Sequence, residues 1–137
     1  MIKPLIRFHL IAIVSLLTFL SCGKDRVDCI EVTALGFGQY CQNTYLLQVP
    51  AKYGILGKAI EVDGQTYHHV IKIAGGSLTL YDGLNAGDRI FVKLRKFNPK
   101  TDGELIVSPY PCTHILGPSY PEVPIYVATG VSGDGCP

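Results

Sequence analysis

Five cysteines, four histidines and one run of alternating aromatic and basic residues hold most of the reactive or recognising chemistry in this 137-residue chain. Cys29, Cys41, Cys112 and Cys136 form an even set, with Cys22 standing apart behind a long apolar stretch. Even, dispersed thiols in an exported chain of this size suit two disulfides. Zinc needs clustered ligands, and the chain has no C-x-x-C, H-x-H or H-x-x-x-H. Cys112 and His114 share one face of an extended segment, which is a single pair and no ligand set. No metal and no cofactor are expected.

A catalytic site needs a nucleophile or base with an orienting partner. Gly130-Val131-Ser132-Gly133-Asp134 approaches the nucleophile elbow, but Asp134 stands where the final glycine belongs and no strand-turn-helix follows. His68 and His69 are neighbours in a strand-like run, so their side chains leave on opposite faces. No catalytic residue is assigned, and an enzyme with a dispersed site stays open beside the non-catalytic readings.

Recognition has two candidate surfaces. Phe91, Lys93, Arg95 and Phe97 fall on one face of a strand, with Lys96 and Lys100 nearby. Aromatic rings interleaved with cations stack on sugars and meet anionic headgroups, while the plainer alternative is a solvated face whose long basic stems cover the rings. The second surface is the stretch from Pro109 to Pro124, which has five prolines and carries Tyr110, Cys112, His114 and Tyr120. A stiff loop loses little entropy on docking; it also serves simply as a rigid connection.

These groups need a compartment and a scaffold. Lys3 and Arg7 precede an apolar run from Phe8 to Leu20, the order of a signal peptide. Thirteen residues of helix rise only about 20 Å, short of a ~30 Å hydrocarbon core. The run ends in Leu17-Thr18-Phe19-Leu20-Ser21-Cys22, which resembles the lipobox of bacterial lipoproteins, in the relaxed form of the Bacteroidota type followed by Gly23-Lys24-Asp25. The resemblance implies cleavage before Cys22, diacylglycerol and palmitate-like acyl chains on Cys22, and a place in the outer membrane, facing periplasm or cell surface. Residues 1–21 are then leader, 22–28 the lipidated cysteine and tether, and 29–137 a single domain. Two or three acyl chains hold such a protein on a bilayer nearly permanently.

Without Lys3 and Arg7 the 12 basic residues fall to 10, against 11 acidic ones. A near-neutral domain has no global attraction for nucleic acid. Partners are therefore the membrane, through the lipid, and an envelope protein or glycan.

Apolar spacing in the mature chain is mostly two, and Gly or Pro recurs too often for a helix. Strands are expected over Cys29 to Leu35, Thr44 to Val49, Ala59 to Val62, Tyr67 to Ile73, Leu78 to Tyr81, Ile90 to Leu94, Leu105 to Val107 and Ile125 to Ala128. Asp63-Gly64 is a favoured type I′ pair. A hairpin centred on Phe37 and Gly38 joins the first two strands and sets Cys29 opposite about Leu46. The pattern indicates an all-β fold, a small barrel or a compact sandwich.

Leu84 to Val92, L-x-x-G-D-x-I-x-V, resembles the turn into the fourth strand of OB barrels. That likeness implies an OB-like barrel, ahead of the sandwich. It also implies a disulfide pairing: the start of the first strand and the fourth-to-fifth connection share one barrel end, joining Cys29 to Cys112 and leaving Cys41 for Cys136. The expected protein is a lipid-anchored, non-catalytic envelope protein that binds a protein or glycan, with a structural subunit of an envelope complex as the alternative.

Overall fold

The computed structural model describes residues 26–36, 42–78, 84–107 and 118–137. Alternating apolar residues become strands that close on themselves. They are β1 (Arg26–Ala34), β2 (Thr44–Gln48), β3 (Lys58–Val62), β4 (Gln65–Ala74), β5 (Arg89–Lys96) and β6 (Ile125–Ser132). β1 pairs with β2 and β5, β2 with β4, β4 with β6, and β6 with β5, which completes a ring of five strands. All these ladders are antiparallel except β4 with β6. With β3 set aside, the ring has the pairing order of an OB barrel, in which the third and fifth strands run parallel. β3 is an additional strand hydrogen-bonded to β4 outside the ring.

Closure gives each strand an inner and an outer face. Ile30, Val32, Leu47, Ile71, Ile73, Ile90, Val92 and Leu94 point inward, each at most 2 % exposed. A second apolar layer lies outside, where Leu46, Ile60, Val62 and Val70 are covered by Tyr120 and Val123 of the returning loop. Lys72 shares this outer layer and is buried. Its Nζ donates to the Tyr120 carbonyl at 3.2 Å and lies 4.4 Å from the centre of the Tyr120 ring. Burial lowers the Lys72 pKa. The Tyr120 hydroxyl in turn meets Thr44 Oγ1 at 3.1 Å.

Several elements differ from expectation. β1 begins at Arg26, inside the stretch read as tether, and β6 continues to Ser132. Leu105 is in a 3-10 turn, Gly103–Ile106, rather than a strand, because its N–H is drawn to the Asp102 carbonyl at 2.9 Å. Leu78 closes the 3-10 turn Gly75–Ser77, and the rest of its expected strand lies outside the described residues. Asp63 and Gly64 do take positive φ, +51° and +78°, as the type I′ turn requires.

The disulfide is Cys29–Cys136, with Cα atoms 5.5 Å apart, and not the Cys29–Cys112 and Cys41–Cys136 arrangement. The cause is the tail. Gly130 on β6 stands opposite Lys93 on β5, and Lys93 faces the irregularity between Val27 and Ile30 that contains Cys29. After Ser132 the chain folds back over this level, with Pro137 against Gly130 and beside Lys93, so Cys136 crosses β5 to reach β1. Cys41 and Cys112 lie outside the described residues.

Candidate functional site

β2 accompanies β1 for only a short distance. Thr33 pairs with Gln48 and Ala34 with Leu47, after which Pro50 lacks an N–H and the chain turns into the 3-10 segment Ala51–Leu56. From Glu31 back toward Arg26, β1 keeps β5 on one side while β2 has left the other. The surface opens there into a groove of about 440 Å³, lined by Glu31, Thr33, Gln48, Val49, Pro50, Ala51, His69 and Arg89.

Alternation explains what faces the groove. Ile30, Val32 and Ala34 are buried, so Glu31 and Thr33 must point outward. Arg89 lies opposite Thr33 on β5, and its guanidinium is 3.5 Å from a Glu31 carboxylate oxygen. Both side chains are well exposed, and a pair of this kind contributes only about 0–1 kcal/mol. Either charge is therefore cheaply redirected to a ligand.

His69 reaches the groove through a β-bulge. Three steps on β4, Tyr67 to Val70, oppose two on β3, Lys58 to Ile60, and His69 takes φ +58°. The extra residue reverses the alternation, so Tyr67 packs with Val70 in the outer layer instead of sharing a face with Ile71. The bulge is fastened from two sides. Val49 N–H donates to the His69 carbonyl and Gln48 Nε2 to the His68 carbonyl, both at 2.9 Å. Gly54 of the 3-10 segment and Gly57 just after it lie on the bulge so closely that a Cβ on Gly54 would be 2.5 Å from His69 Nδ1. One on Gly57 would be 2.6 Å from the His69 carbonyl carbon.

The groove thus presents a carboxylate, a guanidinium, a hydroxyl, an amide and an imidazole beside an apolar rim of Val49, Pro50 and Ala51. Donors and acceptors of both signs suit a ligand rich in hydroxyls or peptide groups better than one of a single strong charge. Among the described residues, no group of three or more His, Cys, Asp or Glu side chains is placed to hold a metal ion.

On the aromatic and basic face of β5, Arg95 is engaged within the fold. Arg95 makes a two-pronged ion pair with Asp102, 2.7 and 2.8 Å, and Asp102 also accepts the Asn98 N–H at 2.8 Å. The Arg95 hydrogen bonds hold the Asp102 carboxyl well below the usual carboxylate range and raise the pKa of Arg95 itself. Lys93 lies beside the returning tail, while Phe91 and Phe97 are half-buried. Tyr120 is buried over Lys72 rather than presented to a partner. Cys22, Tyr110 and His114 lie outside the described residues.

Glu31 and Thr33 fall at outward positions of an amphipathic strand and Pro50 at the end of β2, whereas Arg89, expected in the turn before Ile90, is the first residue of β5. That they meet depends on barrel closure, and nothing in Tyr67-His68-His69-Val70 announces a bulge. No protein-family profile, curated protein or solved structure matches the chain.

Proposed function

We propose that this is a lipid-anchored envelope protein, tethered through Cys22 in the outer membrane, whose barrel is a non-catalytic module binding a protein or glycan in the groove between β1 and the end of β2. The observation that carries the reading is the gathering of Glu31, Arg89, Thr33, Gln48 and His69 around one open concavity. The exposed Glu31 and Arg89 pair offers a carboxylate acceptor and a fork of N–H donors, which is the equipment for hydroxyls and amides. A short edge of β1 beside the groove adds main-chain groups to the same surface.

Two measurements test it. Metabolic labelling with a fatty-acid analogue should mark the wild-type chain and not Cys22→Ala; labelling that persists in the variant overturns the anchor. The intact lipoprotein, captured from detergent-solubilised envelope, should retain a protein or glycan that is lost from the Glu31→Ala, Arg89→Ala double variant. Equal retention by both proteins would place binding elsewhere.

A further inference from the structure

The barrel has a mouth at the end where β1 starts, and the 3-10 segment Ala51–Leu56 closes it. Tyr53 and Leu56 pack against the barrel core, and Tyr126 donates from its hydroxyl to the Leu56 carbonyl at 3.2 Å. Burial raises the Tyr126 pKa and Lys96 lowers it electrostatically, so the ammonium of Lys96 belongs to the same mouth. Between the two plugging residues, Ile55 points the other way. It is 96 % exposed, although it is among the most apolar of side chains.

The surroundings say what such a residue meets. Arg26, Lys52, Lys58 and Lys96 are all exposed around this mouth; Glu122 pairs with Lys58, and Asp28 is the neighbouring acid on β1. Lys52 lies over the Tyr53 ring at 4.9 Å, leaving an aromatic and cationic rim about the isoleucine. Arg26 is only four residues from Cys22. An extended chain spans at most ~3.6 Å per residue, so a lipid on Cys22 cannot be more than about 14 Å from the start of β1. The start of β1, and Arg26 with it, then lies within one or two screening lengths of the membrane surface.

We propose that the mouth closed by Tyr53 and Leu56 faces the bilayer, with Ile55 entering its interface and Arg26 and Lys52 on anionic headgroups. The proposal rests on the lipid-anchor reading. It gives the domain a fixed orientation: one turn plugs the barrel, touches the membrane at Ile55 and, through Pro50 and Ala51, forms the rim of a groove that opens to the side.

The chain has no tryptophan, so Ile55→Trp introduces a single reporter. The full lipoprotein, isolated with its acyl chains, is reconstituted into vesicles of phosphatidylglycerol and phosphatidylcholine with and without bromine on the acyl chains. A second protein, Ala86→Trp, carries the reporter on an exposed residue just before β5, at the opposite barrel end. The indole at position 55 should emit at shorter wavelength on vesicles and be quenched several-fold more by brominated lipid than the one at position 86. Replacing phosphatidylglycerol by phosphatidylcholine should weaken that difference. Protein that floats with the vesicles while both indoles respond alike overturns the orientation and leaves the anchor standing. Protein that does not float removes the anchor and the orientation together. Ile55→Ser, which needs no large side chain at the site, should keep the wild-type melting temperature; a marked loss would show that Ile55 is a packing residue and overturn the proposal.

Discussion

Replacing Cys29 and Cys136 together by alanine removes the bond that ties the first strand to the end of the chain. The separation of 107 residues sets the magnitude. In the chain-entropy description, a loop of this length constrains the unfolded chain by about 4.8 kcal/mol at 25 °C. A bond between Cys41 and Cys112 would shorten the path. The unfolded loop would then run 12 residues from Cys29 to Cys41 and 24 from Cys112 to Cys136, and the value falls to about 3.8 kcal/mol. Either figure is a large share of the ~5–15 kcal/mol that holds a domain folded. Equilibrium urea unfolding, followed by far-UV circular dichroism, measures it. With a slope of about 2 kcal/mol per molar, the midpoint should fall by roughly 2 M. A loss under about 1 kcal/mol with unchanged native signal would refute the argument, since it would mean that the tail does not constrain the unfolded chain.

Three further outcomes follow from buried and crowded groups. Burial lowers the Lys72 pKa from 10.5, so the folded state favours the neutral amine and the wild type should gain stability as pH rises from that lowered value toward 10.5. Lys72→Met should lose this gain and be between neutral and about 2 kcal/mol more stable at pH 7, read from urea curves across pH. Asp102 is depressed in the folded state, so its contribution is present above its ordinary value near 3.8 and lost as pH falls toward its folded value. Asp102→Asn should therefore lower stability at pH 7 and flatten the decline below pH 4, again by denaturation at a series of pH values. Gly57→Ala places a Cβ 2.6 Å from backbone at His69 and should cost ~1–3 kcal/mol in thermal or urea unfolding, while also displacing the bulge that carries the imidazole into the groove.

The strands were legible because barrel interiors impose a period of two. Ile90, Val92 and Leu94, or Ile30 and Val32, leave little freedom about which face is buried. The Leu84 to Val92 turn led correctly to the fourth strand of an OB-type ring, here β5. Three features escaped because each depends on a partner that strand periodicity does not specify, distant in sequence for two of them and across a turn for the third. The His69 bulge is held by Val49 and Gln48 of another strand, and Arg95 is drawn from recognition into structure by Asp102. Cys136 finds Cys29 because the tail reverses over β5; reading it as continuing off the end of β6 sends it to the wrong thiol. Of the candidate site, the outward positions on β1 were readable, but not the place of Arg89 on β5 or the early departure of β2 that exposes them as a groove.

On the proposed reading, in which Cys22 tethers the domain and the groove binds a partner, the barrel is also a mechanical link. Tension between the anchor and the groove would enter at Arg26 and tend to peel β1 from β5 one hydrogen-bonded pair at a time, the weakest way to load a strand. Peeling can advance only as far as Cys29, because there the load passes covalently to Cys136 and the end of the chain. Glu31 and Thr33 lie just beyond that point. The groove therefore sits on the protected side of the fastening, and a pull on the lipid would leave its shape intact until the disulfide was reduced.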